Sequence, residues 1–257
     1  MRKSILLTGL LALSYNNTLY ANEESSIDPG DMTKVYTQVG ASIDSDSNIK
    51  ALGSLSGTYS NSDNFLLYGE AVFGDTHFHD EDYGLDYSNT RLQYFQAKTT
   101  SISALPKIGF SADLIHSELP EIPHYGDDMS IISLGTVAMI SQEYTGKFMA
   151  FPNIAYTKGE MYGEDVDGYM SALYITHRIS SNRAYVGLFP EYMSLSGGDI
   201  ERESFKVKLL LATPITDTGR LWLTSTFEHQ ESKFTIADSN NDWQNTSRVE
   251  MGLKYYL

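Results

Sequence analysis

The chain has 257 residues, 33 acidic against 18 basic side chains, a formal net charge of -15 at pH 7 and no cysteine. That balance opposes nucleic-acid binding, which needs lysine and arginine to neutralise phosphates. The absence of cysteine excludes disulfides, thiolate chemistry and lipoprotein attachment, and no stretch reaches the 18 or more apolar residues of a membrane-spanning helix.

The N-terminus carries Arg2 and Lys3, then the apolar run ILLTGLLAL over 5–13, then Leu19-Tyr20-Ala21 as a small-residue cleavage site before Asn22. This is the pattern of a removed signal peptide over 1–21, since so short an apolar run cannot cross roughly 30 Å of hydrocarbon as a helix. Residues 22–33 are expected to be a short periplasmic N-terminal segment. Pro29-Gly30 would interrupt a helix there, which argues against the threaded helix of a secretion translocator.

From residue 34 to 257 the dominant signal is alternation of polarity, with eighteen Tyr, eleven Phe and only seven Pro in the chain favouring strands. Alternating segments occur over 35–43, 49–59, 65–73, 91–98, 107–115, 131–140, 148–156, 169–179 and 185–193. Phe205, Val207, Leu209 and Leu211 then alternate with Lys206 and Lys208, and Leu221, Leu223 and Phe227 with Thr224, Thr226 and Glu228. The clearest segment is the last, where Val249, Met251, Leu253, Tyr255 and Leu257 share one parity and Glu250, Gly252, Lys254 and Tyr256 the other. In a strand these parities are opposite faces.

The connections between these twelve segments also alternate. Short ones fall at 61–64, 101–106, 142–146, 180–182 and 214–219. Long, polar and acidic ones fall at 74–89, 116–129, 157–168, 194–203 and 228–247, and only 44–48 is short where a long one is due. Short turns on one side, long loops on the other and an even strand number define a closed antiparallel transmembrane β-barrel of about twelve strands, an all-β fold with both termini in the periplasm. Closure leaves no strand edge for lipid to penalise. The competing soluble sandwich or lipocalin-like barrel would have to bury the apolar face inside.

The signal peptide, the strand-and-loop rhythm and the C-terminal alternation resemble Gram-negative outer-membrane β-barrel proteins of the porin-like class. Their last strand carries an assembly signal of alternating apolar residues ending in an aromatic. The alternation is present here, although Leu257 replaces the terminal aromatic beside Tyr255 and Tyr256. The resemblance implies the cell outer membrane, with its lipids and lipopolysaccharide and the barrel-assembly machinery as partners, the latter engaging the C-terminal strand. A monomer without nucleic acid is expected.

If the apolar parity faces lipid, the other parity faces the lumen and carries Lys50, Glu70, Arg91, Asp113, Lys206, Lys208, Glu250 and Lys254. These are the candidate solute-contacting residues of a narrow polar pore selecting by size and field. The competing reading is a plugged interior whose charges satisfy one another. Twelve strands lie between small filled barrels and large water-filled ones.

Elsewhere the chemistry is thin. Asp75, Asp80, Glu81, Asp82 and Asp86, with Glu160, Glu164, Asp165 and Asp167, make the long loops acidic without the spacing of a calcium loop. His77-Phe78-His79-Asp80 supplies too few fixed ligands for zinc, so neither metal nor cofactor is expected. No histidine is followed two residues later by serine, the same-face arrangement of outer-membrane lipid hydrolases; His116-Ser117 are adjacent and face opposite ways in a strand. His124, Asp127 and Asp128 are suitable types for activating water at a rim, without a motif. The sequence therefore predicts a porin-like channel for passive diffusion of small hydrophilic solutes rather than an enzyme. A closed barrel with a hydrolytic or surface-binding rim is the alternative.

Overall fold

The computed structural model describes residues 27–59, 63–74, 86–120, 122, 125–181, 183–236, 239–240 and 243–257. The signal-peptide segment 1–21, most of the connection 74–89, the His77 to Asp80 cluster and His124 lie outside them.

Twelve long strands make the wall. They are β1 Gln38–Asp44, β2 Ile49–Thr58, β3 Asn64–Gly74, β4 Asp86–Thr99, β5 Lys107–Glu118, β6 Asp128–Met139, β7 Met149–Met161, β8 Glu164–Arg178, β9 Tyr185–Gly197, β10 Ile200–Pro214, β11 Leu221–Ile236 and β13 Gln244–Tyr256. A two-residue strand, β12 Ser239–Asn240, pairs with the far end of β11. Each wall strand is antiparallel to its neighbours in the chain. β1 pairs with β13 from Gln38 opposite Tyr256 to Asp44 opposite Glu250, which closes the ring.

The predicted parity determines what each face shows. Val39, Ile43, Leu114, Leu134, Ile154, Leu188, Leu209, Val249, Met251 and Leu253 all point outward and are exposed, Ile154 to 68%. An apolar band of this extent on the outside, with charge inside, is the inverse of a soluble barrel and suits a lipid solvent. The one register irregularity falls between Val72 and Phe73, opposite Asn89 and Tyr87, beyond Glu70 and Arg91, so it leaves the facing of those two unchanged.

The end bearing both termini is here called the terminal end, and the opposite one the distal end. At the distal end the strands run further than alternation indicates. Three connections expected to be long loops, 157–168, 194–203 and 228–247, are largely ladder. β7 and β8 are joined through Tyr162 and Gly163 alone, β9 and β10 through Gly198 and Asp199, and β11 continues to Ile236. The reason is physical: beyond the apolar band neither face meets lipid, so the period-2 pattern fades while backbone hydrogen bonding continues. Tyr162 and Gly163 both have positive φ, 56° and 83°, the backbone that two-residue hairpins require. Inside the wall, a Cβ on Gly135 would lie 2.3 Å from the carbonyl oxygen of Ile154, so only glycine lets β6 approach β7 that closely there.

The interior is filled unevenly. At the distal end Met129, Ile131, Met161, Val166, Met170, Met193, Leu195 and Ile200 form an apolar cluster within the barrel, over which Leu119, Ile122 and Tyr125 fold from the β5–β6 connection. That connection is tied down by hydrogen bonds from the backbone N–H of Leu119 to the Asp127 carbonyl (2.7 Å) and from Gly126 to the Tyr162 carbonyl (3.1 Å).

At the terminal end Tyr185, Leu210, Trp222 and Tyr256 form a second cluster packed by Ile27 and Tyr36. Residues 27–37 are thus a strap held inside the terminal mouth. Asp28, with its side chain 5% exposed, pairs with Arg178 at the foot of β8. Thr176 Oγ1 donates to the Gly30 carbonyl at 2.9 Å, Arg183 Nη1 to the Ile27 carbonyl at 3.0 Å, and the Asp28 N–H to the Tyr36 hydroxyl at 3.1 Å. Burial pushes the Tyr36 phenol above its ordinary pKa, so it stays neutral as acceptor. The barrel proper begins at Gln38, a few residues later than expected, because the strap takes up 34–37.

Candidate functional site: a charged layer between two luminal cavities

All eight charged residues predicted on the polar parity project into the lumen, and most of them meet in one layer. Arg91 on β4 is its centre. Its Nε donates to both carboxylate oxygens of Asp113 on β5, at 3.0 and 2.9 Å, and Gln93 Nε2 reaches Asp113 Oδ2 at 3.0 Å. Arg91 Nη2 also bonds Glu191 Oε2 on β9 at 2.7 Å. Since β5, β6, β7 and β8 separate these two strands on the shorter way round, this ion pair crosses the lumen instead of running along the wall.

The layer continues through β10. Glu191 Oε1 accepts from Lys206 Nζ at 2.7 Å, and Lys208 Nζ lies 3.1 Å from Glu228 Oε2 on β11. Glu70 accepts a hydrogen bond from the Tyr68 hydroxyl at 2.7 Å. Lys50 on β2 pairs with Glu250 on β13, across the intervening β1. These groups are largely shielded, Asp113 to 4% and Arg91 to 12% side-chain exposure. Each charge is therefore compensated, as low-dielectric surroundings demand.

Next to the layer, Arg202 and Lys254 form no ion pair among the described residues. Arg202, on the distal side of the layer, donates only to Met129 Sδ at 3.3 Å. Lys254, on the terminal side, lines the other cavity with Glu250 and Glu70 near it but unpaired.

The layer separates two cavities. The distal one, about 270 Å³, is lined by polar groups that include Ser42, Asn48, Asn89, Ser204, Thr226 and Gln230. The terminal one, about 380 Å³, is walled by Phe95, Phe151, Tyr174, Tyr185 and Phe189 and floored by Pro29, Met32 and Val35 of the strap. Glu70, Arg91, Glu191, Lys206 and Lys208 line both, so the cavities meet at the charged layer.

Sequence reasoning missed Glu191 and Arg202, and it placed Glu228 on the polar parity without choosing it. On β9 apolar residues occupy both parities, because Tyr185 and Phe189 face an aromatic cavity on the side that polarity alone would reserve for charge. The signal that was present is Glu191 itself, a carboxylate inside an otherwise apolar segment.

At the distal rim the described histidines find serines across the ladder rather than along a strand. His116 Nδ1 lies 2.7 Å from Ser130 Oγ; Ser117 is not its partner. His229 Nδ1 lies 2.8 Å from Ser247 Oγ, with Glu231 Oε1 3.6 Å from its Nε2.

No family model matches the chain, and no curated protein matches it. Among solved structures it is similar to the KdgM porin, at 10% identity and a TM-score of 0.48 over 87% of this chain and 99% of that one. It is also similar to the NanC porin, at 8% identity and a TM-score of 0.47 over 86% and 100%. A third is OmpT, an outer membrane protein of Vibrio cholerae, at 9% identity and a TM-score of 0.43 over 86% and 96%.

Proposed function

We propose that the protein is a porin-like channel of the bacterial outer membrane, through which small water-soluble molecules diffuse, with the charged layer as its selectivity filter. The observation that carries this reading is that the polar distal cavity and the terminal cavity share Arg91, Glu191, Lys206, Lys208 and Glu70, so the two abut within the lumen at the charged layer. Paired charges of both signs in a constriction discriminate solutes by size and by local field.

The apolar outer band takes bilayer lipid as its partner. The acidic distal face takes lipopolysaccharide through bridging divalent cations, and the C-terminal strand is the handle for barrel assembly. The chain closes on itself and functions as a monomer.

Purified barrel in planar bilayers should show stepwise conductance. Electrical silence from protein that still shows the mobility shift of a closed barrel between heated and unheated gel samples removes the channel reading.

One geometry favours a second reading, a hydrolytic rim. Ser247, His229 and Glu231 form a serine–histidine–carboxylate series on the outward face, where a hydroxyl activated by imidazole could attack a lipid ester. Labelling of Ser247 by a serine-directed fluorophosphonate, lost in Ser247→Ala and His229→Ala, supports it. No labelling removes it.

A further inference from the structure

We infer that the terminal cavity is a binding site for organic carboxylates that carry an apolar ring, which enter with the ring among the aromatic side chains and the carboxylate on Lys254. This names a solute class for the proposed channel, yet binding in the cavity does not itself require conduction.

Three features meet there. The first is the wall, where Phe95 and Tyr174 pack edge to face with ring centroids 6.1 Å apart and Tyr174 continues to Phe189 at 6.1 Å. Phe151 and Tyr185 extend this surface. Aromatic surface lining a water-filled passage binds flat apolar bodies and gains nothing from sugars or simple ions unless they too present an apolar face.

The second is charge. Arg91, Lys107, Lys206, Lys208 and Lys254 line the cavity against the carboxylates of Glu70 and Glu191. Arg91, Lys206 and Lys208 are committed to ion pairs. Lys254 and Lys107 have no such partner among the described residues, so two ammonium groups remain for an incoming anion, in a chain whose overall charge is -15. Lys254 shares the cavity with the aromatic rings and stands near Glu250 and Glu70 without pairing with either, and such a cation gains most from an anion that brings its own apolar cover.

The third is the floor. Pro29, Met32 and Val35 close the cavity below with apolar side chains and leave Lys107 near the mouth. The site thus resembles a cup with a cationic side rather than a uniform tube. At about 380 Å³ it is large enough for one or two fused rings with a short acid chain.

Trp222 supplies the readout. It is fully buried, its ring centroid is 5.8 Å from that of Tyr185, which lines the cavity, and Trp243→Phe would leave it the sole tryptophan. Detergent-solubilised Trp243→Phe protein is titrated with benzoate and 2-naphthoate, and in parallel with benzamide, 2-naphthamide and acetate. Saturable change in Trp222 fluorescence is expected with the two aromatic acids only. Lys254→Gln should weaken their binding by about tenfold, the loss of one charge-assisted hydrogen bond. Lys107→Gln, at the mouth, should weaken it less and provides a second variant should Lys254→Gln not fold.

Equal response to acids and amides would overturn the role of charge, and equal response to acetate that of the rings. No saturable response to either acid overturns the site. Since these measurements are made without a membrane, failure to conduct in bilayers would leave a positive binding result standing, and the converse holds too.

Discussion

Arg91 and Glu191 stand 100 positions apart in sequence and on walls separated by four intervening strands, yet Nη2 and Oε2 are 2.7 Å apart. The bond is a bar across the lumen, and it joins the two halves of the barrel at the level where the cavities meet. Arg91→Met should leave Asp113 and Glu191 without their shared cation and cost about 3 kcal/mol, the range for breaking a shielded pair by removing one partner. A fall in the temperature at which the folded gel band disappears would report it. Glu191→Gln should cost about as much, because Arg91 keeps Asp113 but Lys206 loses its carboxylate, and both variants should raise single-channel conductance by removing the bar. Unchanged conductance would mean that the bar is not the constriction.

Lys206 and Lys208 are held on the same face of β10 by Glu191 and Glu228. Replacing both by glutamate places four carboxylates together and reverses the local field. Reversal potentials across a salt gradient should move towards cation preference, and the shift should shrink at high ionic strength as screening lengths fall to about 3 Å at 1 M salt. An identical selectivity in the Lys206→Glu, Lys208→Glu protein would place the filter elsewhere.

The strap is predicted to loosen when its ion pair to the wall is removed. In Asp28→Ala or Arg178→Ala, trypsin should cut after Lys34 faster than in the parent, by a few-fold, because the side chain of Arg178 is 52% exposed and such a pair is worth at most about 1 kcal/mol. Sequencing of the clipped N-terminus measures it. Equal cleavage rates would mean that the hydrogen bonds from Thr176 and Arg183 suffice to hold the strap.

Gly163 has φ of +83° in the two-residue turn between β7 and β8. Gly163→Ala should destabilise the distal hairpin by about 1 kcal/mol, lowering the temperature of the gel-mobility change. Gly146, also at positive φ (66°), gives a comparison outside the distal hairpin, and a Cβ would meet no crowding at either position. A larger loss at Gly163 than at Gly146 would show that the distal packing of Tyr162 against Phe234, with ring centroids 5.2 Å apart, depends on the turn.

The wall was legible because lipid and lumen impose opposite polarities on successive residues. All twelve segments of alternating polarity correspond to strands, and the eight charged candidates all project inward. What was not legible arises where that contrast is absent. The hairpin ends beyond the apolar band look like loops because neither face meets lipid. Glu191 was hidden on β9 because Tyr185, Phe189 and Met193 are apolar on the luminal side. Residues 22–33 were expected as a short periplasmic segment, and the hold on 27–30 was not legible because it comes from Arg178, Thr176 and Arg183, far away in sequence, where no local pattern announces such contacts. The serine partners of His116 and His229 were invisible for the same reason, since cross-strand neighbours are set by register and not by spacing along one strand.

The strap also constrains the order in which the molecule can be made. The partners of Ile27, Asp28 and Gly30 lie on β8 and in the β8–β9 turn, whereas Thr33, Tyr36 and Thr37 are held by β2 and β3; the strap then passes directly into β1, whose ladder with β13 is the last seam of the ring, and the Leu257 N–H bonds the Thr37 carbonyl at 3.0 Å. Residues 27–30 therefore find their polar partners on the wall only once two-thirds of it exists, and Leu257 fastens to Thr37 at the other end of the strap. Seating of residues 27–30 is then a late event that senses a formed far wall, so a barrel stalled before closure would betray itself by a strap open to proteases.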